Sequence, residues 1–145
     1  MTDQNRREIA CAIIIDTREC FLLQQRDNVS GILCPGMVAL FGGHREADET
    51  FLQCVVREVH EEIGYFVAPE RFLHVTTYSG VDADAKGGTV HGEFYLARDV
   101  PAETLHVTEG SLLVVKPDEL ILLKDRLAPS TRYALGAFLN LDYAG

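Results

Sequence analysis

No C-x-x-C pair occurs among Cys11, Cys20, Cys34 and Cys54, and His44, His60, His74, His91 and His106 are scattered along the chain. Zinc is held by such ligands at short, fixed spacings, so the pattern argues against a zinc site. The cysteines read instead as small buried hydrophobes of a reducing compartment. Basic residues are also scarce: 13 Lys and Arg stand against 22 Asp and Glu, a formal net charge of −9. Proteins that bind nucleic-acid polymers displace counterions with clustered Lys and Arg, and this chain lacks that charge. A small phosphorylated ligand is still compatible with an acidic protein if metal ions neutralise it. Long apolar runs are missing too. The opening MTDQNRREIACAIIID reads as a polar tail entering a strand, too short in its apolar part for a secretory or membrane segment, so no membrane association and a cytoplasmic location are expected. Repeats and low-complexity segments are absent.

What is present fits one compact enzyme domain over residues 1–145, with 47% hydrophobic residues and burial of about two thirds of the unfolded surface expected. Alternation and turn residues predict a hairpin from Glu8 to Ile15 and Cys20 to Arg26 around Asp16 to Glu19. A Gly- and Pro-containing loop from Asp27 to Gly36 follows, then a short strand from Met37 to Phe41. Further strands are expected near Arg71 to Ser79, Thr89 to Arg98 and Ser111 to Val115. A short helix should follow Lys116 and Pro117, and an amphipathic helix should run from Ser130 to Leu141. That helix could pack on its own core or on a partner, which leaves a homodimer open. Periodicity alone assigns the chain to the α/β or α+β class.

Between Gly43 and Tyr65 the sequence reads GHREADETFLQCVVREVHEEIGY. Thr50 with Gln53 three residues on fits a capping box, and Gly64 fits the left-handed position after the last helical turn. Phe51, Val55, Val59 and Ile63 recur every four residues, with Leu52 and Val56 beside them, forming an apolar stripe. The opposite face carries Cys54, Glu58, Glu61 and Glu62. Like charges at this spacing near a helix C-terminus oppose both the pair rule and the macrodipole, by about 0.2 to 0.5 kcal/mol per pair. A bound cation explains such a conflict; a solvated acidic face is the alternative. Crowded oxygen anions that leave room for water and substrate phosphate suit Mg2+ or Mn2+ better than an all-protein Ca2+ cage. Arg57 is expected to point away from the carboxylates and to pair with Glu49, fixing the preceding loop. Gly42 and Gly43 are expected to form a turn whose backbone can approach metal or phosphate.

The spacing of Gly43, Glu49, Arg57, Glu58, Glu61, Glu62 and Gly64 resembles the signature of the Nudix hydrolases, G-x5-E-x7-R-E-U-x-E-E-x-G-U, where U is a bulky aliphatic residue. Val59 fills the first U; Tyr65 departs from the pattern at the last. The resemblance implies an α/β/α sandwich with a mixed sheet between helices, and Mg2+-dependent cleavage of a phosphoanhydride bond by activated water. It implies Glu58 and Glu62 as direct metal ligands, Glu61 as a further ligand or base, and a backbone carbonyl at Gly42 or Gly43 in the metal shell. It also supports the Arg57–Glu49 pairing and implies a further acidic residue from outside the motif. Glu109 in H-V-T-E-G-S comes first, and Glu93, alternating with His91 and Tyr95 on one strand face, comes second. Arg26 and Lys86 could reach a substrate phosphate, a surface ion pair and a solvated lysine being the respective alternatives. The loop GVDADAKGG, which starts like a calcium loop but lacks its closing glutamate, is expected to be a mobile loop on the substrate side.

The expected activity is hydrolysis of a nucleoside diphosphate linked to another group, or of a related organic pyrophosphate. A silent nucleotide-sensing domain and a prenyl-diphosphate isomerase are the alternatives; the intact glutamates argue against the first, and the lack of a marked protonating cysteine against the second.

Overall fold

In the computed structural model, which describes residues 6–141, the chain opens with an eleven-residue strand β1 (Arg6–Asp16), so the polar tail expected before it lies outside the described residues. Strand β1 alternates strictly. Ile9, Ile13 and Ile15 enter one half of the core, with Cys11 packed against it, while Ala10, Ala12 and Ile14 enter the other, so the strand is buried on both faces. The hairpin to β2 (Phe21–Gln25) is closed by Asp16, whose Oδ1 accepts from the backbone N–H groups of Arg18 and Cys20, both at 2.8 Å.

The expected strand from Met37 to Phe41 is two strands, β3 (Val38–Ala39) and β4 (Phe41–His44), because the chain changes partner at Leu40. Strand β3 pairs with β2, β4 pairs with β1, and the N–H of Leu40 donates instead to the Thr131 hydroxyl at 3.0 Å. Gly42 and Gly43 therefore lie in a strand, not in a turn. Helix α1 (Phe51–Ile63) begins at the capping box of Thr50 and Gln53 and ends at Gly64 in the left-handed conformation, φ 67°. Beyond it come β5 (Leu73–Val81), entered through a 3-10 turn Pro69–Arg71, then β6 (Thr89–Val100) and β7 (Ser111–Val115). A 3-10 helix Pro117–Arg126 leads into α2 (Pro129–Leu139).

The seven strands form one mixed sheet in which β1 runs parallel to β6 and antiparallel to β2 and β4. Helix α1 packs Val55, Val59 and Ile63 on the face that carries Ala10, Ala12 and Ile14. Helix α2 packs Ala134 and Leu135 on the opposite face, with Ile9, Ile13 and Phe94. The architecture is the expected α/β/α sandwich. Cys54 departs from expectation: it is fully buried in the α1 face of the core, its Sγ 3.5 Å from the Gly43 carbonyl, and does not share the carboxylate face. Among the described residues no helix is long and apolar enough to cross a membrane.

Candidate active site

The split in the sheet at Leu40 opens a cleft of about 490 Å³ on the α2 side. Arg7, Ile9 and Cys11 of β1 line it, and Gly42, Gly43, Glu58, Glu61 and Glu62 form one rim. Glu58 and Glu62 belong to a helix on the other side of the sheet, and the glycine strand is what admits them. A Cβ at Gly43 would lie 2.4 Å from Cδ of Glu58, so that carboxylate occupies the space an ordinary side chain would fill. At Gly42, φ is 155° and a Cβ would meet the Ala10 carbonyl at 2.3 Å, so close approach to β1 demands glycine. Gly42 also donates its N–H to Oε1 of Glu62 at 3.1 Å.

Behind the rim, Arg57 forms the expected fork with Glu49, Nε to Oε2 at 2.5 Å and a second bond to Oε1 at 2.9 Å. The pair holds the Glu49 carboxyl down at about 2, chiefly through the Arg57 hydrogen bonds, and raises the guanidinium above its ordinary value. Arg57 does not, however, point away from the carboxylates. Its Nη1 lies 2.9 Å from Glu58 and 3.5 Å from Glu61, and a further donor reaches the His44 carbonyl. One arginine thus relieves the repulsion expected at Glu58 and Glu61, the latter with 59% of its side chain exposed. The unrelieved charge is Glu62. Burial pushes its pKa up to about 8 against the lowering effect of the Gly42 N–H, and Glu58 and Glu109 raise it further.

Glu109 reaches the cleft beside Glu62 because the segment before it caps α1. His106 N–H donates to the Ile63 carbonyl at 2.8 Å and Thr108 N–H to the Glu62 carbonyl at 3.1 Å, satisfying groups the helix end leaves free. Its own carbonyl accepts from the Gln24 side chain at 3.0 Å. Arg26 also lines the cleft, held by the Leu33 carbonyl and Gln24.

Two expected residues lie elsewhere. Glu93 is on the α1 side of the sheet, where its carboxylate bridges His74 at 2.7 Å and His91 at 2.6 Å, and the His91 ring packs on Phe51. Alternation had grouped Glu93, His91 and Tyr95 correctly but could not say which face carries the cleft. Lys86 does not line the cleft; it sits at φ 57° in a loop whose Asp82 and Asp84 are tied to β1 and α2. Asp82, 1% exposed, binds Arg7 through Nε at 2.6 Å and Nη2 at 3.0 Å. Asp84 accepts from both N–H and Oγ of Ser130 at the start of α2.

Sequence reasoning missed Arg7, Cys11, Cys34, His44, Asp84, Thr108 and Ser130 as cleft residues. The alternation of Arg7, Ile9 and Cys11 along β1 was a readable signal for the first two polar members. Burial raises the thiols of Cys11 and Cys34, Cys34 to about 11, so both stay protonated. His44 is pushed below its ordinary pKa by burial and then by Arg7.

A donor set of carboxylate oxygens beside a glycine strand fits a hard divalent cation. Among the described residues no three candidate ligands are already drawn close enough to hold one. A cation that keeps several waters and takes only one or two carboxylates needs no such cage, and Glu58 with Glu62 supplies that pair.

A model of the NUDIX domain matches residues 5–137. Among solved structures the chain is similar to the MutT protein from Methanosarcina mazei Go1, with 21% identity, 97% of each chain covered and a TM-score of 0.75. It is similar to the ORF135 protein of E. coli, with 24% identity, 94% of this chain and 90% of that one covered and a TM-score of 0.71. A third is a bifunctional NMN adenylyltransferase/ADP ribose pyrophosphatase from Francisella tularensis, complexed with AMP and a Mn ion, with 19% identity, 93% of this chain and 41% of that one covered and a TM-score of 0.66. No curated protein matches. The domain match over most of the chain, with the glutamates, Arg57 and the glycine strand meeting at one cleft, establishes that the chain belongs to the NUDIX domain family, the Nudix pyrophosphohydrolases.

Proposed function

We propose that the chain is a Mg2+-dependent hydrolase of a nucleoside diphosphate linked to another group, or of a closely related organic pyrophosphate, with Mn2+ as a substitute. The observation that carries this reading is the meeting of Glu58 and Glu62 with Gly42 and Gly43 at the rim of a cleft that Arg7 and Arg26 also line. Nudix hydrolases generally use divalent metals. When bound, such a metal neutralises phosphoryl charge and lowers the pKa of a coordinated water.

The chain's own residues do the rest. Glu58 and Glu62 would hold the cation, with a backbone carbonyl at Gly42 or Gly43 as a further ligand, and Arg57, braced by Glu49, positions Glu58. Arg26, which lines the same cleft, binds a phosphate. Water attacks one phosphorus, its O–P bond replaces the bridging P–O bond, and the bridging oxygen departs with the second phosphate. The water's proton passes to a cleft carboxylate, Glu61 or Glu109. The net charge of −9 and four free cysteines support a small substrate in a reducing, cytoplasmic setting.

One observation favours a second reading, prenyl-diphosphate isomerisation: Cys11 lines the cleft as a protonated thiol. Isomerisation leaves the diphosphate intact. A product-resolved screen with Mg2+ over nucleotide sugars, dinucleoside polyphosphates, ADP-ribose, nucleoside triphosphates and a prenyl diphosphate separates the two. Release of a nucleoside monophosphate or of phosphate supports the hydrolase; an intact, rearranged diphosphate as sole product overturns it.

A further inference from the structure

Strand β2 runs through three apolar residues, Phe21, Leu22 and Leu23, and then places a glutamine, Gln24, that is 2% exposed. The backbone of Gln24 is paired on both edges, opposite Ala39 of β3 and Leu112 of β7. Its side chain must find partners of its own, because a buried carboxamide without them is costly. Both ends do so. Nε2 donates to the Glu109 carbonyl at 3.0 Å, and Oε1 accepts from Nη1 of Arg26 at 3.1 Å. A guanidinium only donates and a carbonyl only accepts, so the amide has one orientation.

Both partners line the cleft. Arg26 is aligned there by neutral acceptors, the Leu33 carbonyl on Nε at 2.6 Å and Gln24 on Nη1, and its Nη2 makes no hydrogen bond among the described residues. Arg7 and Arg57 by contrast are paired with Asp82 and Glu49, so Arg26 keeps its charge for an anionic ligand. The Glu109 carbonyl reaches Gln24 because the chain runs hard against β2 at the next residue. Gly110 has φ 65°, and a Cβ there would lie 2.4 Å from the Gln25 carbonyl and 3.3 Å from Cγ of Gln24. From the other direction, the bonds of His106 and Thr108 to the end of α1 hold the same segment. Glu109 is thus fixed through its backbone, and its carboxylate makes no hydrogen bond among the described residues.

We propose that Gln24 is a positioning residue of the reaction: its one buried carboxamide holds the phosphate-binding Arg26 and the segment that carries Glu109 at a fixed separation. The proposal rests on the hydrolysis assigned above, in which Arg26 binds a phosphate and Glu109 is one of two carboxylates open to the water's proton. Glutamine suits the task because it is neutral and two-ended. A glutamate here would neutralise Arg26 and offer the Glu109 carbonyl no donor, and an apolar side chain would leave both groups untethered. Gln24 therefore acts on phosphate binding through Arg26 and on turnover through Glu109, and its effects should vanish where those partners are already removed.

Binding and turnover are tested separately with two variants. Gln24→Met keeps the shape and removes both bonds; Gln24→Asn stays polar but is a methylene too short to span both partners, and either suffices if the other does not fold. In the first arm, calorimetry with Mg2+ measures the affinity for methylenediphosphonate, a diphosphate that cannot be hydrolysed. Both Gln24 variants should bind it about tenfold more weakly than the wild type, and Arg26→Ala at least as weakly. Adding Gln24→Met or Gln24→Asn to Arg26→Ala should weaken binding no further. In the second arm, kcat at saturating substrate should fall about tenfold in either Gln24 variant, and combining it with Glu109→Gln should give no loss beyond that of Glu109→Gln alone. A Gln24 substitution that weakens binding as much in the Arg26→Ala background as in the wild type would mark a merely structural role and overturn the proposal. Wild-type affinity and kcat in the Gln24 variants, no probe binding by the wild type, or unchanged kcat in Glu109→Gln would also overturn it. The expected binding pattern in a protein that hydrolyses nothing in the screen would support the link from Gln24 to Arg26 while refuting the reaction assigned to the cleft.

Discussion

A methyl group added at Gly43 would sit 2.4 Å from Cδ of Glu58 and 2.6 and 2.7 Å from its carboxylate oxygens. Non-bonded carbon contacts are comfortable only from about 3.5 Å, so the carboxylate would have to retreat by about 1 Å. Glu58 is the mobile end of a flexible side chain, and its rotation costs the fold little, about 1 kcal/mol or less, or roughly 2 to 4 °C in Tm. For the reaction the same displacement matters far more, because a misplacement of about 1 Å costs on the order of 100-fold in rate. Gly43→Ala is therefore expected to fold normally and to lose about 100-fold in kcat/KM. Gly42→Ala provides the contrast. Its Cβ would meet the Ala10 carbonyl at 2.3 Å and Cα of Cys11 at 2.5 Å, at φ 155°, and backbone cannot swing aside. That variant should lose on the order of 3 kcal/mol of stability, about 6 to 12 °C. Thermal melts with steady-state kinetics on a substrate confirmed by the screen compare the two. Wild-type kcat/KM in Gly43→Ala, or a Tm loss as large as that of Gly42→Ala, would refute the claim that Gly43 exists to make room for the Glu58 carboxylate.

In chelator at pH 8, Glu62→Gln should melt above the wild type. A carboxyl whose folded pKa is raised to about 8 contributes most stability below its unfolded value of about 4.3 and loses it progressively as pH rises toward 8, so the gain from removing the charge grows across that window and is largest at pH 8 and above. Millimolar Mg2+ should reverse the ranking, since only the wild type gains RT ln(1 + [L]/Kd), and a variant that melts lower in chelator would contradict the assignment of the strain. Arg57→Lys should lower kcat by about tenfold or more with little change in Tm, because lysine cannot reproduce the fork on Glu49; unchanged kcat would make that brace irrelevant to turnover. Asp82→Asn should cost roughly 3 kcal/mol at pH 7, since it leaves Arg7 half-buried without its counter-charge. Burial disfavours the Asp82 charge, but the Arg7 bonds outweigh it and hold the pKa below its ordinary value, so the difference should shrink as pH falls below about 3.9; a pH-independent difference in urea melts would refute this.

Helix α1 was legible because its signals are local: the cap at Thr50 and Gln53, the apolar stripe and Gly64 all lie within one segment. The same holds for the turn after Asp16 and for β7, whose bounds coincide with the sequence reading. What failed depends on partners distant in the chain. The break at Leu40 exists because β3 and β4 pair with different strands, and nothing in Met37 to Phe41 announces a change of neighbour. Glu93 was misplaced for a related reason: period two sorts a strand into faces, but only the positions of α1 and α2 decide which face holds the cleft. Arg57 was placed away from the carboxylates by helical geometry, and its length let it curl back to Glu58 and Glu61. The pinning of the loop by Asp82 and Asp84 joins β1 and α2 across the whole chain and leaves no local trace.

The central claim is that Glu58 and Glu62 act on a phosphoanhydride through a divalent cation at the glycine strand. Its most direct test is a metal titration of hydrolysis for the wild type, Glu58→Gln and Glu62→Gln on one confirmed substrate. The account predicts no turnover by any of the three in chelator, saturable activation of the wild type by Mg2+ or Mn2+, and rates about 100-fold or more lower in both variants at saturating metal. Turnover by the wild type in chelator, or near wild-type rates in either variant at saturating Mg2+, would contradict it.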